Sequence, residues 1–165
     1  MTEKVNKRID ELEAIMLGNF PVVDCPVSHS FTPGLYIRKI FMPAGVTVTS
    51  MIHKTIHPFC VMQGKVTVYS ENDGIQEIEA PFDGITYPGT RRVLRVHENT
   101  VWVTFHPTEI KPKDDSDESI KEAVDLICEE IIDLRPNDLV GGVIRNNEVL
   151  QQIKSKEEES FLLET

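Results

Sequence analysis

Two histidines, His53 and His57, are separated by Lys54, Thr55 and Ile56 and flanked by β-prone runs, Val46 to Thr49 before them and Phe59 to Met62 after. Such runs read as a hairpin with a short loop. Residues that close the loop from opposite strands share one sheet face, with Cβ atoms roughly 4.5–5.5 Å apart when directly opposed. At that separation two imidazoles converge on one ion at metal–nitrogen distances of about 2.0–2.1 Å. The alternative is a pair of histidines filling an all-β core. The spacing alone favours neither.

Other residues bear on the same chemistry. Residues 91–96 and 100–106 read as a second hairpin around His97, Glu98 and Asn99, which returns His106 to the neighbourhood of Gly89 to Arg92. A one-residue change of register would turn the His106 ring to the other face, so a third ligand and a structural histidine beside Pro107 both stay open. His97 falls in the turn and reads as solvent-exposed. His29 lies in a proline-punctuated stretch and reads as a surface or capping side chain. Cys25, Cys60 and Cys128 are widely spaced with no Cys-x-x-Cys pair, the pattern of free thiols, and Cys60 among strand residues reads as a small hydrophobe. Arg92, beside Arg91, is on one reading an exposed strand arginine paired with abundant carboxylates at little net energy.

The stretch from Gly45 to Gly64 resembles the first motif of the cupin superfamily: Gly, five residues, His-x-His, three or four residues, Glu, six residues, Gly. Laid on this chain, Gly45 is the first glycine, Met51 takes the first histidine position, His53 the second, His57 the glutamate position and Gly64 the last glycine. The family's second motif ends Gly-x-x-His and resembles Gly89-Thr90-Arg91-Arg92, with Arg92 in the histidine place. Arginine stays protonated and has no lone pair for a metal, so the usual four-ligand set is not intact.

The resemblance covers about residues 34–107. Its last part, residues 98–107, is similar to short cupin-like proteins of phage and gut bacteria that keep a histidine where His106 stands. The resemblance implies a mainly β fold, a single antiparallel β-barrel (jelly roll). It also implies a divalent transition metal (zinc, iron, nickel or manganese) on His53, His57 and His106. Arg92 would then lie inside the barrel and fork onto a carboxylate or phosphate oxygen of a small anionic ligand. Tyr87, Phe59, Trp102 and Tyr36 are candidate pocket walls, with plain core as the alternative.

Positioning these residues falls to a short series of elements. Val5, Ile9, Leu12 and Met16 recur at helical intervals, which predicts an amphipathic helix over residues 4–17. Pro21, Pro26 and Pro33 make residues 18–34 an extended connector. From Leu35 onward, β-rich runs stop at turn residues: Leu35–Met42 at Pro43-Ala44-Gly45, Lys65–Tyr69 at Glu71-Asn72-Asp73-Gly74, Ile75–Glu79 at Ala80 to Gly84. This regular spacing favours an all-β barrel over a βαβ fold, and Asp73-Gly74 is a strong hairpin signal. After His106 the chain turns polar and acidic, and a helix is predicted over about 117–133. Ser119 and Glu122 form its capping box, Ile120, Val124, Ile127 and Ile131 lie on one face, and Pro136 ends it. Beyond lie a Gly141-Gly142 turn, a charged tail over 154–159, and Phe161-Leu162-Leu163, which either docks on a neighbour or frays.

Three segments are expected: a helix and connector over 1–33, the barrel over 34–108, and an acidic linker, helix and tail over 109–165. At 165 residues and 40% hydrophobic content, one domain with a real core is reasonable. The formal charge of −10 weighs against nucleic acid and anionic membranes as partners, which need basic surface. No apolar run approaches the roughly 18–20 residues of a membrane span, and the polar start is unlike a signal peptide, so a cytoplasmic protein is expected.

Two functions stand side by side: a small metalloenzyme acting on an anionic molecule, and a non-catalytic cupin-like scaffold or assembly protein of phage type. No carboxylate falls at a fourth-ligand position and no general base stands out, so no reaction follows from the fold. A homodimer is expected, since cupin barrels pair through sheet edges and the stripes over 5–16 and 120–131 offer further apolar surface.

Overall fold

Between Leu35 and Pro107, strand after strand carries apolar residues at alternate positions, which leaves each with one face that must be buried against another sheet. In the computed structural model, which describes residues 2–20, 22–135 and 137, those faces meet across two sheets. The first is formed by β1 (Val27–Thr32), β2 (Leu35–Met42), β5 (His57–Gln63), β8 (Phe82–Thr86) and β10 (Thr100–Pro107), in the order β1-β2-β10-β5-β8. The second is formed by β3 (Thr47–Thr49), β6 (Lys65–Ser70), β7 (Gly74–Glu79) and β9 (Val93–Val96), in the order β3-β9-β6-β7. A short pair, β4 (Ile52–His53) with β11 (Ile132–Asp133), stands apart. Pairing is antiparallel throughout, and the chain passes repeatedly from one sheet to the other, as a jelly roll requires. The hydrogen bonding makes two facing sheets and does not close into a continuous ring.

Both hairpins expected around the histidines are absent. β5 already has β10 on one side and β8 on the other, so β4 pairs with β11 instead. Likewise β9 pairs with β3 and β6, while β10 pairs with β2 and β5, so His97 to Asn99 is a crossing between sheets. The β6–β7 hairpin does form, with Gly74 at φ +67° where its turn enters β7, paired with Ser70. Gly64, between β5 and β6, is at φ +101°, and a Cβ there would lie 2.6 Å from the Asn99 carbonyl oxygen. Only glycine fits that corner.

Inside the sandwich, Val48, Val66, Val68, Leu94 and Val96 from one sheet pack against Ile40, Met42, Phe59, Val61 and Trp102 from the other. Helix α1 (Glu3–Asn19), capped by the Thr2 side chain, lays Val5, Ile9, Leu12 and Met16 on Tyr69 and Val93, which face outward from the four-stranded sheet. Ionic contacts fasten it. Arg91, 1% exposed, donates to Glu13 Oε1 at 2.6 Å, to Asp10 Oδ1 at 2.9 Å and to the Asn6 carbonyl at 3.0 Å. Glu13 Oε2 accepts from Thr49 Oγ1 at 2.6 Å.

Helix α2 (Asp117–Ile131) is capped by Ser116, whose side chain accepts from the Ser119 amide, and not by Ser119 itself. It ends where β11 turns extended to reach β4, short of Pro136. Ile127 and Ile131 are buried with Tyr36. The α1 stripe is thus covered within the chain, and the α2 stripe is covered at Ile127 and Ile131 but half-buried at Ile120 and Val124. No described helix is long and apolar enough to cross a membrane. The expected Gly141-Gly142 turn, the tail over 154–159 and Phe161-Leu162-Leu163 lie outside the described residues.

The α1 anchor yields a stability prediction. Replacing Arg91 by Met removes the guanidinium from a Glu13 carboxylate that is 1% exposed, and breaking one partner out of a buried ion pair costs about 3–5 kcal/mol. Urea unfolding of Arg91→Met should show a loss of that size.

Candidate metal centre

The inward alternation of two neighbouring strands brings the first two imidazoles together. His57 opens β5 and His106 lies near the end of β10, each 2% exposed, with ring centroids 4.4 Å apart. His53 arrives from β4, held from two sides: the Lys54 amide donates to the Ile131 carbonyl at 2.6 Å, and the Gly89 amide donates to the His53 carbonyl at 2.9 Å. Its ring centroid is 4.7 Å from that of His57 and 5.3 Å from that of His106. One ring nitrogen from each of the three lies within 4.8 Å of the others.

Hydrogen bonds decide which nitrogens are free. His57 Nδ1 is 3.1 Å from the Thr55 carbonyl, which can only accept, so the proton sits on Nδ1 and Nε2 keeps its lone pair. His106 Nε2 is 2.8 Å from Thr104 Oγ1, while its Nδ1 is buried with no hydrogen-bond partner. A buried nitrogen left unpaired in a native fold calls for a missing partner, and an ion is one such partner.

Electrostatics keep the rings in their neutral form. Burial pushes His53 down to about 3, helped by His57, Arg38 and Arg92. Burial also brings His106 to about 3, helped by His57 and His53. His57 is lowered by burial, which outweighs its hydrogen bond to Thr55. Behind His106 stacks Tyr36, at 5.7 Å, raised to about 12 by burial, with its hydroxyl 2.6 Å from His29 Nδ1.

A cavity of about 340 Å³ opens beside this cluster, with His53 and His57 in its wall. Arg92 faces it and donates to Thr86 Oγ1 at 3.0 Å, its guanidinium 4.9 Å above the Phe59 ring and 6.0 Å from that of Trp102. No carboxylate pairs with Arg92 among the described residues, and burial lowers its pKa. Apolar walls come from Ile40, Leu94 and Trp102 of the sandwich and from Val124, Ile131 and Ile132 of the C-terminal segment.

Of the residues expected from sequence, His53, His57 and His106 converge, Arg92 and Trp102 line the cavity, and Phe59 lies under Arg92. Tyr87 does not take part. It is 59% exposed, because Thr86 before it takes the inward position at the end of β8. His97 is exposed and bonded to Thr67 Oγ1 at 2.6 Å. His29 is not a surface side chain: it is half-buried in β1 and lines the cavity. Arg38 was missed, although its place among Tyr36, Ile40 and Met42 on one strand face marks a cation turned inward. All three cysteines are free.

The buried imidazoles make stability depend on pH. In the unfolded chain His53 and His106 take up protons near 6.5, whereas in the fold they resist until about 3. The unfolded state therefore binds more protons across that interval, so stability is full above about pH 6.5 and is lost as pH falls toward 3. The slope is about 1.4 kcal/mol per pH unit for each histidine. Urea unfolding of metal-free protein between pH 7.5 and 5 should show this fall, and His53→Asn/His106→Asn should flatten it.

No protein-family model matches the chain, and no curated protein matches it by sequence. Among solved structures it is similar to the cupin domain of Cnp3 from Schizosaccharomyces pombe, at 20% identity over 56% of this chain and 66% of that one, with a TM-score of 0.44. It is also similar to an RmlC-like cupin family protein with a double-stranded β-helix fold from Methanocaldococcus jannaschii, at 12% identity over 51% of this chain and 81% of that one, TM-score 0.42. A cupin superfamily protein from Desulfitobacterium hafniense matches at 7% identity over 58% of this chain and 86% of that one, TM-score 0.44. With β2-β10-β5-β8 facing β3-β9-β6-β7 and antiparallel pairing throughout, the chain is a jelly roll of two sheets.

Proposed function

We propose that the chain holds one divalent transition metal on His53, His57 and His106 and receives a small anionic ligand beside it, against Arg92. The buried triangle of neutral imidazoles, with an unpartnered Nδ1 on His106, carries this reading. Two nitrogens on one ion at about 2.0–2.1 Å stand no more than roughly 4.2 Å apart, so the widest pair must close by about half an ångström through side-chain rotation. Imidazole nitrogens suit zinc, iron and nickel, and manganese less well. Once bound, such a metal would polarise a ligand oxygen as a Lewis acid.

Arg92 supplies the case for an anion. Its guanidinium is fixed by Thr86 and two aromatic faces and pairs with no described carboxylate, so its remaining donors suit a carboxylate fork. The apolar walls select a ligand with an apolar body and one acidic end. Those walls hold no aspartate or glutamate among the described residues, which favours binding over proton-transfer chemistry and leaves the non-catalytic reading in play.

Elemental analysis of the purified full chain tests the metal. About one equivalent is expected in wild type and less than a tenth of that in His53→Ala/His57→Ala, with His106→Ala also depleted. Stoichiometric metal in the double variant would overturn the assignment. The anion is tested through Trp102, the one tryptophan of the chain and part of the cavity wall. Small aliphatic and aromatic monocarboxylates should change its fluorescence saturably. Arg92→Met should weaken that binding on the order of tenfold or more while metal content stays unchanged.

A further inference from the structure

Alternation along β10 turns Trp102, Thr104 and His106 to the inner face of the five-stranded sheet. Trp102 is cavity wall and His106 belongs to the imidazole triangle, which leaves Thr104 between them with a hydroxyl to place. Its Oγ1 is 2.8 Å from His106 Nε2, and no other described group bonds to it. A hydroxyl has one proton to give and two lone pairs to accept with, and a neutral imidazole has one nitrogen of each kind. The direction of this contact therefore depends on where His106 keeps its proton. His106 Nδ1 is buried with no hydrogen-bond partner. When that nitrogen gives its lone pair to an ion, the proton stays on Nε2 and Nε2 donates to Thr104 Oγ1. Ligating histidines ordinarily hand their other N–H to such an acceptor, which fixes the ring. The threonine then has to place its own proton elsewhere.

The cavity side of Thr104 is cationic. Thr104 lines the cavity, and its direct cross-strand partners are Arg38 on β2 and Phe59 on β5. Arg38 faces the same cavity. The Arg92 guanidinium stands 4.9 Å over the Phe59 ring and 6.0 Å from the Trp102 ring. It thus lies against the residue beside Thr104 across the ladder and the residue two before Thr104 on the same face. Directly opposed Cβ atoms are roughly 4.5–5.5 Å apart, and same-face residues on one strand about 6.8 Å, so hydroxyl and guanidinium border one small volume. An anion placed there meets both. We infer that Thr104 joins the metal and the anion of the function proposed above: it accepts from His106 Nε2 when Nδ1 is on the ion, and donates its own proton to the carboxylate held against Arg92. Both ligands are those of the proposed site, on which this link rests. Each then tightens the other by the same factor, since coupling between two sites is reciprocal. A direct bond between ion and carboxylate would also couple them, and only the share that passes through the hydroxyl is lost with it.

Two measurements on the full chain test the link: Trp102 fluorescence titration with hexanoate, with and without zinc, and zinc affinity by competition with a chelating dye. Valine keeps the shape and β-branch of threonine without the hydroxyl, and serine keeps the hydroxyl. In wild type, zinc should tighten hexanoate on the order of tenfold. Thr104→Val should weaken zinc on the order of tenfold and cut the zinc-dependent gain in hexanoate to below about threefold. Thr104→Ser should stay within about threefold of wild type on both counts. Nitrogen-15 NMR of the zinc-loaded chain should find the His106 proton on Nε2. A wild type that takes up no zinc, or no hexanoate, would overturn the site and the link with it. With both bound, three results would each overturn the link and leave the site standing: Thr104→Val coupling them as strongly as wild type, Thr104→Ser as weak as Thr104→Val, or a His106 proton on Nδ1.

Discussion

A polar group placed between two apolar sheets persists only if it is neutral, hydrogen-bonded or paired with an opposite charge, since leaving it bare costs several kilocalories. This chain buries groups of all three kinds. The imidazoles of His53, His57 and His106 stay neutral because burial and mutual proximity disfavour the proton. Arg91 is met by Glu13 and Asp10. Arg92 is met only in part, by a threonine hydroxyl and the faces of Phe59 and Trp102. Where an opposite charge meets the buried group, as at Arg91, the contact serves as structure. His106 Nδ1 is left without a partner inside the imidazole cluster, and Arg92 faces the cavity that His53 and His57 of the same cluster line.

The C-terminal segment is part of this arrangement and not an appendage to it. β4 has only two paired residues and cannot stand as an independent strand, so its position depends on β11 and on the Lys54 amide bonded to Ile131. His53 is the β4 residue paired with Ile132. Packing of Ile127 and Ile131 against Tyr36 therefore does two things: it closes one wall of the cavity and fixes one imidazole relative to the other two. Metal binding would in turn favour the state in which this segment is docked, because a ligand that binds only the assembled site stabilises that site by mass action.

Much of this was legible in the residues, and the remainder failed for identifiable reasons. Leu35–Met42 and Asp73-Gly74 announce a strand and a hairpin because their signals are local: period-two alternation and a turn that wants positive φ. Which strand lies beside which is not local. Residues 53 to 57 and 96 to 100 look like hairpin loops from composition, yet each links segments whose pairing edges are taken by strands distant in sequence. Alternation reports the face of a side chain and says nothing about its neighbour across the ladder. The same period of two explains the error at Tyr87, where the neighbouring Thr86 holds the inward position. His29 was obscured by prolines at 26 and 33, which bracket a true strand.

Adjacent residues on an extended chain point to opposite sides, and Arg91 and Arg92 show what that geometry does with two equal charges. Arg91 turns away from the sandwich and ties down α1 through Asp10 and Glu13, while Arg92 turns into the cavity beside the histidines. The Arg92 amide is held by Ser50 Oγ at 2.8 Å, so a short piece of backbone carries the helix anchor on one side and the cavity-facing guanidinium on the other. Glu13 of the same anchor also accepts from Thr49, which lines the cavity, so loss of the α1 anchor would be felt there through Thr49 as well as through this backbone. Helix docking and the placement of Arg92 share a support, and the cationic wall of the cavity is only as rigid as the ionic network behind it.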